Sequence, residues 1–210
     1  MTRARKINQS PKLPPAERRR QLLAAAHRLF LKKGYRGTTV DDIAHAAGVT
    51  KGALYFHFRS KEDILLEMVK EFTDHLQKAV EELLPSRVSL SELFRILLTV
   101  HFECKQCDKS EMVDIWVQAW RMPKIKRYIA NRYRKVHQFY QSRLDPASIP
   151  RGTDPHTVAV LISALVHGLA TTRMVLPKSV DLPAQRALLD ALVTLDQPRS
   201  PGQRRKAVAK

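Results

Sequence analysis

The sequence predicts an all-α protein with an N-terminal three-helix domain followed by a larger helical domain. Apolar residues recur at three- and four-residue spacings along most of the chain, and no strand-like alternation of useful length appears. Ser or Thr precedes several of these segments, where its side chain can cap a helix. A tight Gly48-Val49 turn separates two of the shortest segments, which is the arrangement of a helix-turn-helix.

The charge of the chain is strongly positive and unevenly distributed. The 210 residues include 37 Lys and Arg against 20 Asp and Glu, which gives a net charge of +17. Residues 1–20 hold seven basic groups and one acidic group, and residues 197–210 hold five basic groups and no acidic group. Tails of this kind are typical of nucleic-acid arms or membrane-surface tails, or are simply solvated. We expect a disordered basic arm at 1–14 and a disordered basic tail at 197–210.

Several classes of protein are disfavoured by what the sequence lacks. No apolar run follows the N-terminal charges, so a secretory signal is not expected. The stretch "TVAVLISALVHGLA" is interrupted by His167 and is shorter than a membrane span. Two cysteines do not make a disulfide framework. No nucleophile–base pairing, Gly-rich phosphate loop or apolar carboxylate pair suggests an enzyme. We therefore expect a cytoplasmic protein that is not an enzyme, binds no membrane and needs no cofactor.

The first helix is predicted to begin at Pro15 and to end at the two glycines of "KKGYRGTT". Leu22, Ala26, Leu29 and Phe30 follow helical spacing along it. The basic run at 18–20 lies in its first turns, where positive charge opposes the helix dipole. A phosphate partner would favour that run, and we expect it to reach along a flanking groove of DNA together with the N-terminal arm.

Three cap residues divide the next segment into short helices. Thr39 precedes "VDDIAHAAG", Thr50 precedes "KGALYFHF", and Ser60 begins a capping-box variant with Asp63 three residues later. Lys61 then opens the following helix, where its ammonium group is expected to reach a phosphate.

The ring residues of "LYFHF" are predicted to lie on a helix, since Thr50 caps this segment and Ser60 starts the next one. Leu54 and Phe58 are four residues apart and can both face inward, and we place Phe56 beside them in the core. Tyr55 points to another side and can reach outward. The segment Lys51-Gly52-Ala53 precedes the rings, and its small residues would allow close approach to a major groove. Tyr55, His57 and Lys61 are suited to hold the sugar-phosphate backbone.

The rest of the chain is almost entirely helical by pattern. A nearly continuous apolar run from Leu93 to Phe102 predicts a central, buried helix. Further helices are predicted from about 123 to 144, from 156 to 176 and from 184 to 195.

Residues 34–65, "GYRGTTVDDIAHAAGVTKGALYFHFRSKEDIL", resemble the DNA-binding signature of the TetR/AcrR family of bacterial transcriptional regulators. The resemblance implies a helix-turn-helix DNA-binding domain at 15–68 and a helical effector-binding and dimerisation domain at 69–196. It implies a homodimer through helices near 155–175 and 183–195, and a palindromic double-stranded operator. It also implies a set of DNA-contacting residues: Thr39, Tyr55, His57 and Lys61 on the backbone, and Thr50, Lys51 and Gly52 facing the bases, with Ala53 offering close approach or a methyl contact.

An effector pocket among the central helices is also implied by the family. Candidate lining residues are large and apolar or amphipathic: Phe102, Met112, Trp116, Trp120, Tyr128 and Tyr133. Arg132 lies near the apolar stripe of its helix, in a segment that carries many basic residues and no acidic one. Such a lining would suit a hydrophobic or anionic amphiphilic small molecule; an ordinary aromatic core would explain the same residues.

His101, Cys104 and Cys107 fall on neighbouring turns of one predicted helix. We interpret the cysteines as core packing, with redox sensing as the alternative, and expect no metal site. For the whole chain, two functions remain open. The first is a ligand-responsive regulator, usually a repressor. The second is a ligand-independent structural or cell-division DNA-binding protein whose tails spread it along DNA.

Overall fold

The N-terminal part of the computed structural model contains four helices, of which the last three follow the predicted caps. The structure describes residues 13–103 and 121–195. The helix bounds are α1 Pro15–Gly37, α2 Val40–Ala46, α3 Lys51–His57 and α4 Lys61–Leu83. Each cap hydroxyl accepts the backbone N–H three residues along, at 3.0 Å for Thr39 and Asp42, 3.2 Å for Thr50 and Ala53, and 3.0 Å for Ser60 and Asp63. The three predicted caps are confirmed.

The turn between α1 and α2 depends on a glycine and a buried threonine. Gly34 kinks the end of α1 with φ 72° and ψ 164°, a conformation that essentially only glycine adopts. Thr38 is completely buried, and its hydroxyl lies 2.9 Å from the Gly34 carbonyl oxygen and 3.2 Å from that of Leu29. A buried hydroxyl needs such partners because leaving it unpaired costs about 1–3 kcal/mol. The turn therefore has a fixed shape.

The described residues divide into two compact units, the first of 13–74 and 121–128, the second of 75–103 and 129–195. In the first unit, each of the helices α1–α4 completely buries a large aliphatic side chain: Leu22, Ile43, Leu54 and Ile64. Burying such a side chain contributes about 1.5–3 kcal/mol. The predicted domain boundary at residue 68 remains a prediction.

The second unit is built around one central helix. The remaining helix bounds are α5 Leu90–Glu103, α6 Pro123–Arg143, α7 Pro155–Val175 and α8 Leu182–Leu195, and α6 contributes residues 129–143 to this unit. α5 packs against α7 and α8, and Leu93 and Leu97 on α5 are almost completely buried. The prediction that this segment is central is confirmed. In the described parts of the chain there is no β-strand; a backbone bridge joins Val88 to Leu144. The all-α fold class is likewise confirmed.

α7 is apolar on two faces. Ile162 and Val166 are buried within the subunit, whereas Leu161 and Leu165 are exposed on the face about 100° around the helix. By length and composition alone, this helix could cross a membrane. Those properties are equally expected of a helix that packs against protein on both sides, since a helix that is hydrophobic all round is normally a buried one.

The conformation of Gly34 predicts a specific cost of substitution. A Cβ at Gly34 would meet no atom within 4 Å, so the cost of Gly34→Ala is backbone strain of about 1–3 kcal/mol. Gly37→Ala is the matched control, because it lies in the same turn without a positive φ and its Cβ would make an ordinary contact at 3.6 Å. Urea unfolding should show a clear loss for the first variant and a change within about 0.5 kcal/mol for the second. Equal losses would contradict the strain argument.

Candidate nucleic-acid interface

The helix-turn-helix consists of α2, a turn at residues 47–49, and α3. Gly48 adopts φ 65°, which glycine accepts without steric cost. The N–H of Val49 donates to the Ala44 carbonyl at 2.9 Å, so the end of α2 is closed by a backbone hydrogen bond. The side-chain amide of Gln21 on α1 donates to the Ala47 carbonyl at 3.0 Å. α1 therefore fixes the turn that sets the direction of α3.

α3 buries one side and exposes the other. Leu54 is completely buried, whereas Lys51, Gly52 and Ala53 are all exposed. A Cβ on Gly52 would meet only the Thr50 hydroxyl at 3.9 Å, so the backbone is open to a partner there. Tyr55 is 45 % exposed. The start of α3 thus presents small residues flanked by one lysine and one phenol, which is a surface suited to the major groove.

Lys51 forms an ion pair with α2 when no DNA is present. Its ammonium lies 3.0 Å from Oδ2 of Asp41, and both side chains are largely exposed. The hydrogen bond and the charge of Asp41 raise the pKa of Lys51. An exposed pair of this kind is worth little in water, so Lys51 can exchange Asp41 for a base edge at low cost.

Thr39 forms a complete capping box with Asp42. Its N–H donates to Oδ2 of Asp42 at 2.9 Å, and its hydroxyl donates to the same oxygen at 2.7 Å. The backbone and side-chain hydrogen bonds of Thr39, and then that of Lys33, lower the pKa of Asp42 to about 2. Thr39 itself is exposed. The arrangement holds its hydroxyl at the N-terminus of α2, where phosphate is favoured.

His57 ends α3 beside two arginines of the basic run. Burial, followed by the charges of Arg18 and Arg19, lowers the pKa of His57. The imidazole is therefore expected to be neutral at pH 7, able to donate one hydrogen bond to a phosphate. The Arg19 guanidinium is itself engaged, since it lies 2.7 Å from Glu67 on α4 and 5.1 Å from the centre of the Phe58 ring.

Phe56 is on the surface, and its predicted place in the core is wrong. The side chain is 80 % exposed and meets the ring of His57 edge to face, with centroids 5.2 Å apart. Successive helical residues are about 100° apart, so Phe56 lies about 200° from the buried Leu54, on the opposite side. Phe58 is 4 % exposed, as predicted.

Lys61 is turned towards its own chain. Its ammonium donates to the carbonyl oxygens of Tyr35 at 2.8 Å and Thr38 at 2.7 Å, and lies 4.3 Å from the centre of the Tyr35 ring. Burial lowers the pKa of Lys61. No sequence signal indicated these carbonyls as its partners.

The predicted effector-pocket residues are only partly within the described chain. Met112, Trp116 and Trp120 lie outside it, as do Cys104 and Cys107. Phe102 is buried in the second unit, with the Arg173 guanidinium 5.2 Å from its ring centre, and Arg132 is half-buried in the same unit. Tyr128 belongs to the first unit, where its hydroxyl lies 2.9 Å from that of Thr73. The pocket remains a prediction.

The second unit contains a ring cluster that the sequence reasoning missed. Histidine and tyrosine rings from α5, α6 and α7 follow one another at centroid distances of 5.1–6.1 Å. The members of this ring cluster are His101, Tyr133, His137, His156 and His167. Burial lowers the pKa of His137 and His167, and it raises the pKa of Tyr133 to about 12.

Comparison with known proteins identifies the family of this chain. Residues 22–68 match the family model "Bacterial regulatory proteins, tetR family", and residues 105–195 match "BetI-type transcriptional repressor, C-terminal". The HTH-type transcriptional regulator TtgR of Pseudomonas putida is 31% identical over 185 residues, covering 79% of this chain and 84% of that protein. The chain belongs to the TetR family. It is a DNA-binding transcriptional regulator, as the sequence predicted, and TetR-family regulators bind DNA as dimers and respond to small-molecule ligands.

Solved TetR-family structures share the fold. Salmonella enterica GusR superposes with a TM-score of 0.70 at 21% identity, over 88% of this chain and 100% of that one. NalD of Pseudomonas aeruginosa, described as the secondary repressor of a multidrug efflux pump, has a TM-score of 0.66 at 21% identity, over 89% of this chain and 100% of its own.

The expected role of Lys51 in base recognition can be tested by replacing it. In a selection from random duplexes, Lys51→Ala should reduce the preference at one base pair of each half-site roughly tenfold, since lysine commonly reads the acceptors of guanine. Lys78→Ala, at an exposed position of α4, is the control for loss of a positive charge. A preserved sequence preference in Lys51→Ala would remove the residue from base recognition.

Proposed function

We propose that this TetR-family chain is a homodimeric repressor that binds a palindromic operator through two copies of α3 and is released by a small molecule. The observation that carries the proposal is the exposed start of α3, where Lys51, Gly52 and Ala53 face solvent while Leu54 anchors the helix. On this proposal the chain is a cytoplasmic protein and not an enzyme, as is typical of the family.

The exposed groups divide between backbone and base contacts. Thr39, Tyr55 and His57 have hydroxyl or imidazole donors near the ends of α2 and α3, and these would bind phosphates. Thr50, Lys51, Gly52 and Ala53 lie at the start of α3, where residues of a recognition helix meet base edges. Close approach at Gly52 and Ala53 would bring the Lys51 ammonium within reach of the groove floor.

Dimerisation is supported by the apolar surface of the last two helices. Leu161 on α7 is 58% exposed and Leu188 on α8 is 61% exposed, and neighbouring large side chains are exposed as well: Val160, Leu165 and Leu192. A patch of this kind is typical of a protein–protein interface. A second copy would cover it with the same patch, since a two-fold interface is self-complementary. Two α3 helices would then meet half-sites about 34–36 Å apart.

Effector binding is proposed at the ring cluster of the second unit. His137 Nε2 and the Ser163 hydroxyl are buried without a hydrogen-bond partner among the described residues. Buried polar atoms normally have partners, so a ligand or a water molecule would be expected there. A hydrophobic molecule with one polar or anionic group would fit rings on several sides, and Phe102 and Arg132 lie in the same unit. Release of DNA then requires the ligand to prefer the form that does not fit the operator.

A selection experiment combined with one interface variant tests the proposal. The unsubstituted protein should sediment as a dimer and enrich a palindrome from random duplexes. Leu161→Glu should give a folded monomer with no palindromic preference, because a charge would be buried in the interface. Leu83→Glu, at an equally exposed leucine on α4, should remain dimeric.

Enrichment without sequence preference in the unsubstituted protein would instead favour the alternative, a ligand-independent structural DNA-binding protein. A dimeric Leu161→Glu protein would remove α7 from the interface.

The ring cluster predicts a loss of stability in acid. Because the folded-state pKa of His137 and His167 lies below the ordinary value, the unfolded chain binds more protons once the pH falls below about 6.5. The melting temperature should therefore be lower at pH 5.5 than at pH 7.5, and the difference should be smaller in His167→Phe. His75→Phe, on the exposed side of α4, should keep the full difference. An unchanged pH dependence in His167→Phe would contradict this explanation.

A further inference from the structure

Lys61 makes the contacts of a residue that holds a turn in place. Two of its three ammonium donors are used by the carbonyl oxygens of Tyr35 and Thr38, at 2.8 and 2.7 Å. The Tyr35 ring lies against the same ammonium, with its centre at 4.3 Å. Hydrogen bonds from a charged donor are about twice as strong as neutral ones. These contacts tie the first residue of α4 to the turn between α1 and α2.

The two carbonyls that Lys61 binds are ones that need a donor. They follow the kink at Gly34, whose backbone angles are not helical. The carbonyls at the end of a helix have no partner within the helix, and a basic side chain can satisfy them. The Tyr35 carbonyl otherwise receives a longer bond from the Thr38 N–H, at 3.4 Å. Lys61 is thus the stronger donor to this turn.

The held turn leads directly into the DNA-binding surface. The Thr38 carbonyl is joined through one peptide bond to Thr39, which caps α2 and is a proposed phosphate contact. The Thr38 side chain is buried, so the turn is anchored by the Thr38 hydroxyl as well as by the Lys61 ammonium. The position of the α2 N-terminus is therefore set by both groups.

We propose that Lys61 is a positioning residue for DNA binding: its ammonium fixes the turn at 34–39, and thereby Thr39 and the N-terminus of α2, and does not itself neutralise a phosphate. This inference rests on the proposed function, since Thr39 must meet DNA for its position to matter. It differs from the role implied by the family resemblance, in which Lys61 anchors the DNA backbone.

The two roles of Lys61 differ in their salt dependence. A lysine that neutralises a phosphate releases counterions, so its removal lowers the slope of log affinity against log salt by about 0.9 per subunit. A lysine that positions a turn affects affinity through geometry and leaves that slope unchanged. The salt slope therefore separates a phosphate contact from a positioning role.

The test measures the affinity of the full-length protein for one selected duplex at salt concentrations between about 50 and 200 mM. Lys61→Met should bind about tenfold more weakly, the equivalent of one lost hydrogen bond to a charged group, with an unchanged slope. Amide exchange at residues 38–42 should become faster in this variant while α1 and α4 stay protected. Lys61→Arg keeps the charge and the donors, and it should recover most of the affinity.

Controls make the outcomes distinct. Lys78→Met removes a charge from an exposed position of the same helix and should change neither affinity nor slope. A slope reduced by about 0.9 per subunit in Lys61→Met, with exchange at 38–42 unaltered, would overturn the proposal and restore the phosphate contact. If Lys61→Met does not fold, Tyr35→Leu tests the same turn, and unaltered exchange and affinity there would also overturn it. Failure of the unsubstituted protein to bind any duplex would instead overturn the proposed function, and this inference with it.

Discussion

The proposed DNA-recognition surface depends on the burial of a single leucine. α3 has seven residues, and a helix of that length is not stable in water by its own hydrogen bonds. Leu54 packs into a core that receives one completely buried side chain from each neighbouring helix. The Thr50 cap, the Gly48 turn and the Gln21 hydrogen bond then fix where α3 begins. The exposed residues of α3 do not contribute to this packing, so they can vary with the DNA sequence that is recognised.

Positive charge near α3 is restrained by partners within the protein. Lys51 is paired with Asp41, Arg19 with Glu67, and Lys61 with two carbonyl oxygens. The Lys51–Asp41 pair is largely exposed and easily exchanged, whereas Arg19 and Lys61 are less exposed in their contacts. The net charge therefore overstates how many basic side chains of this region are available to phosphates. Because basic residues can have such partners within the protein, the position of a basic residue in the sequence does not by itself identify a DNA contact.

The sequence predicted the local structure well because local structure has local causes. Thr39, Thr50 and Ser60 satisfy N–H groups three residues away, so their caps could be identified directly, and the helix bounds followed within a few residues. The exposure of Phe56 could have been predicted from its angle to Leu54, but we placed Phe56 in the core beside Leu54 and Phe58. The partner of Lys61 could not be predicted, because a carbonyl 26 residues away and a phosphate attract an ammonium equally well. The ring cluster brings together three helices that are distant in sequence, and no local pattern reports such an encounter.

The two apolar faces of α7 have a consequence for the newly made polypeptide. One face is covered by the subunit's own core, whereas the other is exposed in the single subunit. In the proposed homodimer, association stabilises the folded subunit. The apparent stability of each subunit therefore rises with the concentration of the protein in the cell. When synthesis of such a regulator is low, the amount of its folded form would fall for two reasons. Fewer chains would be present, and a larger share of those would be open to proteolysis.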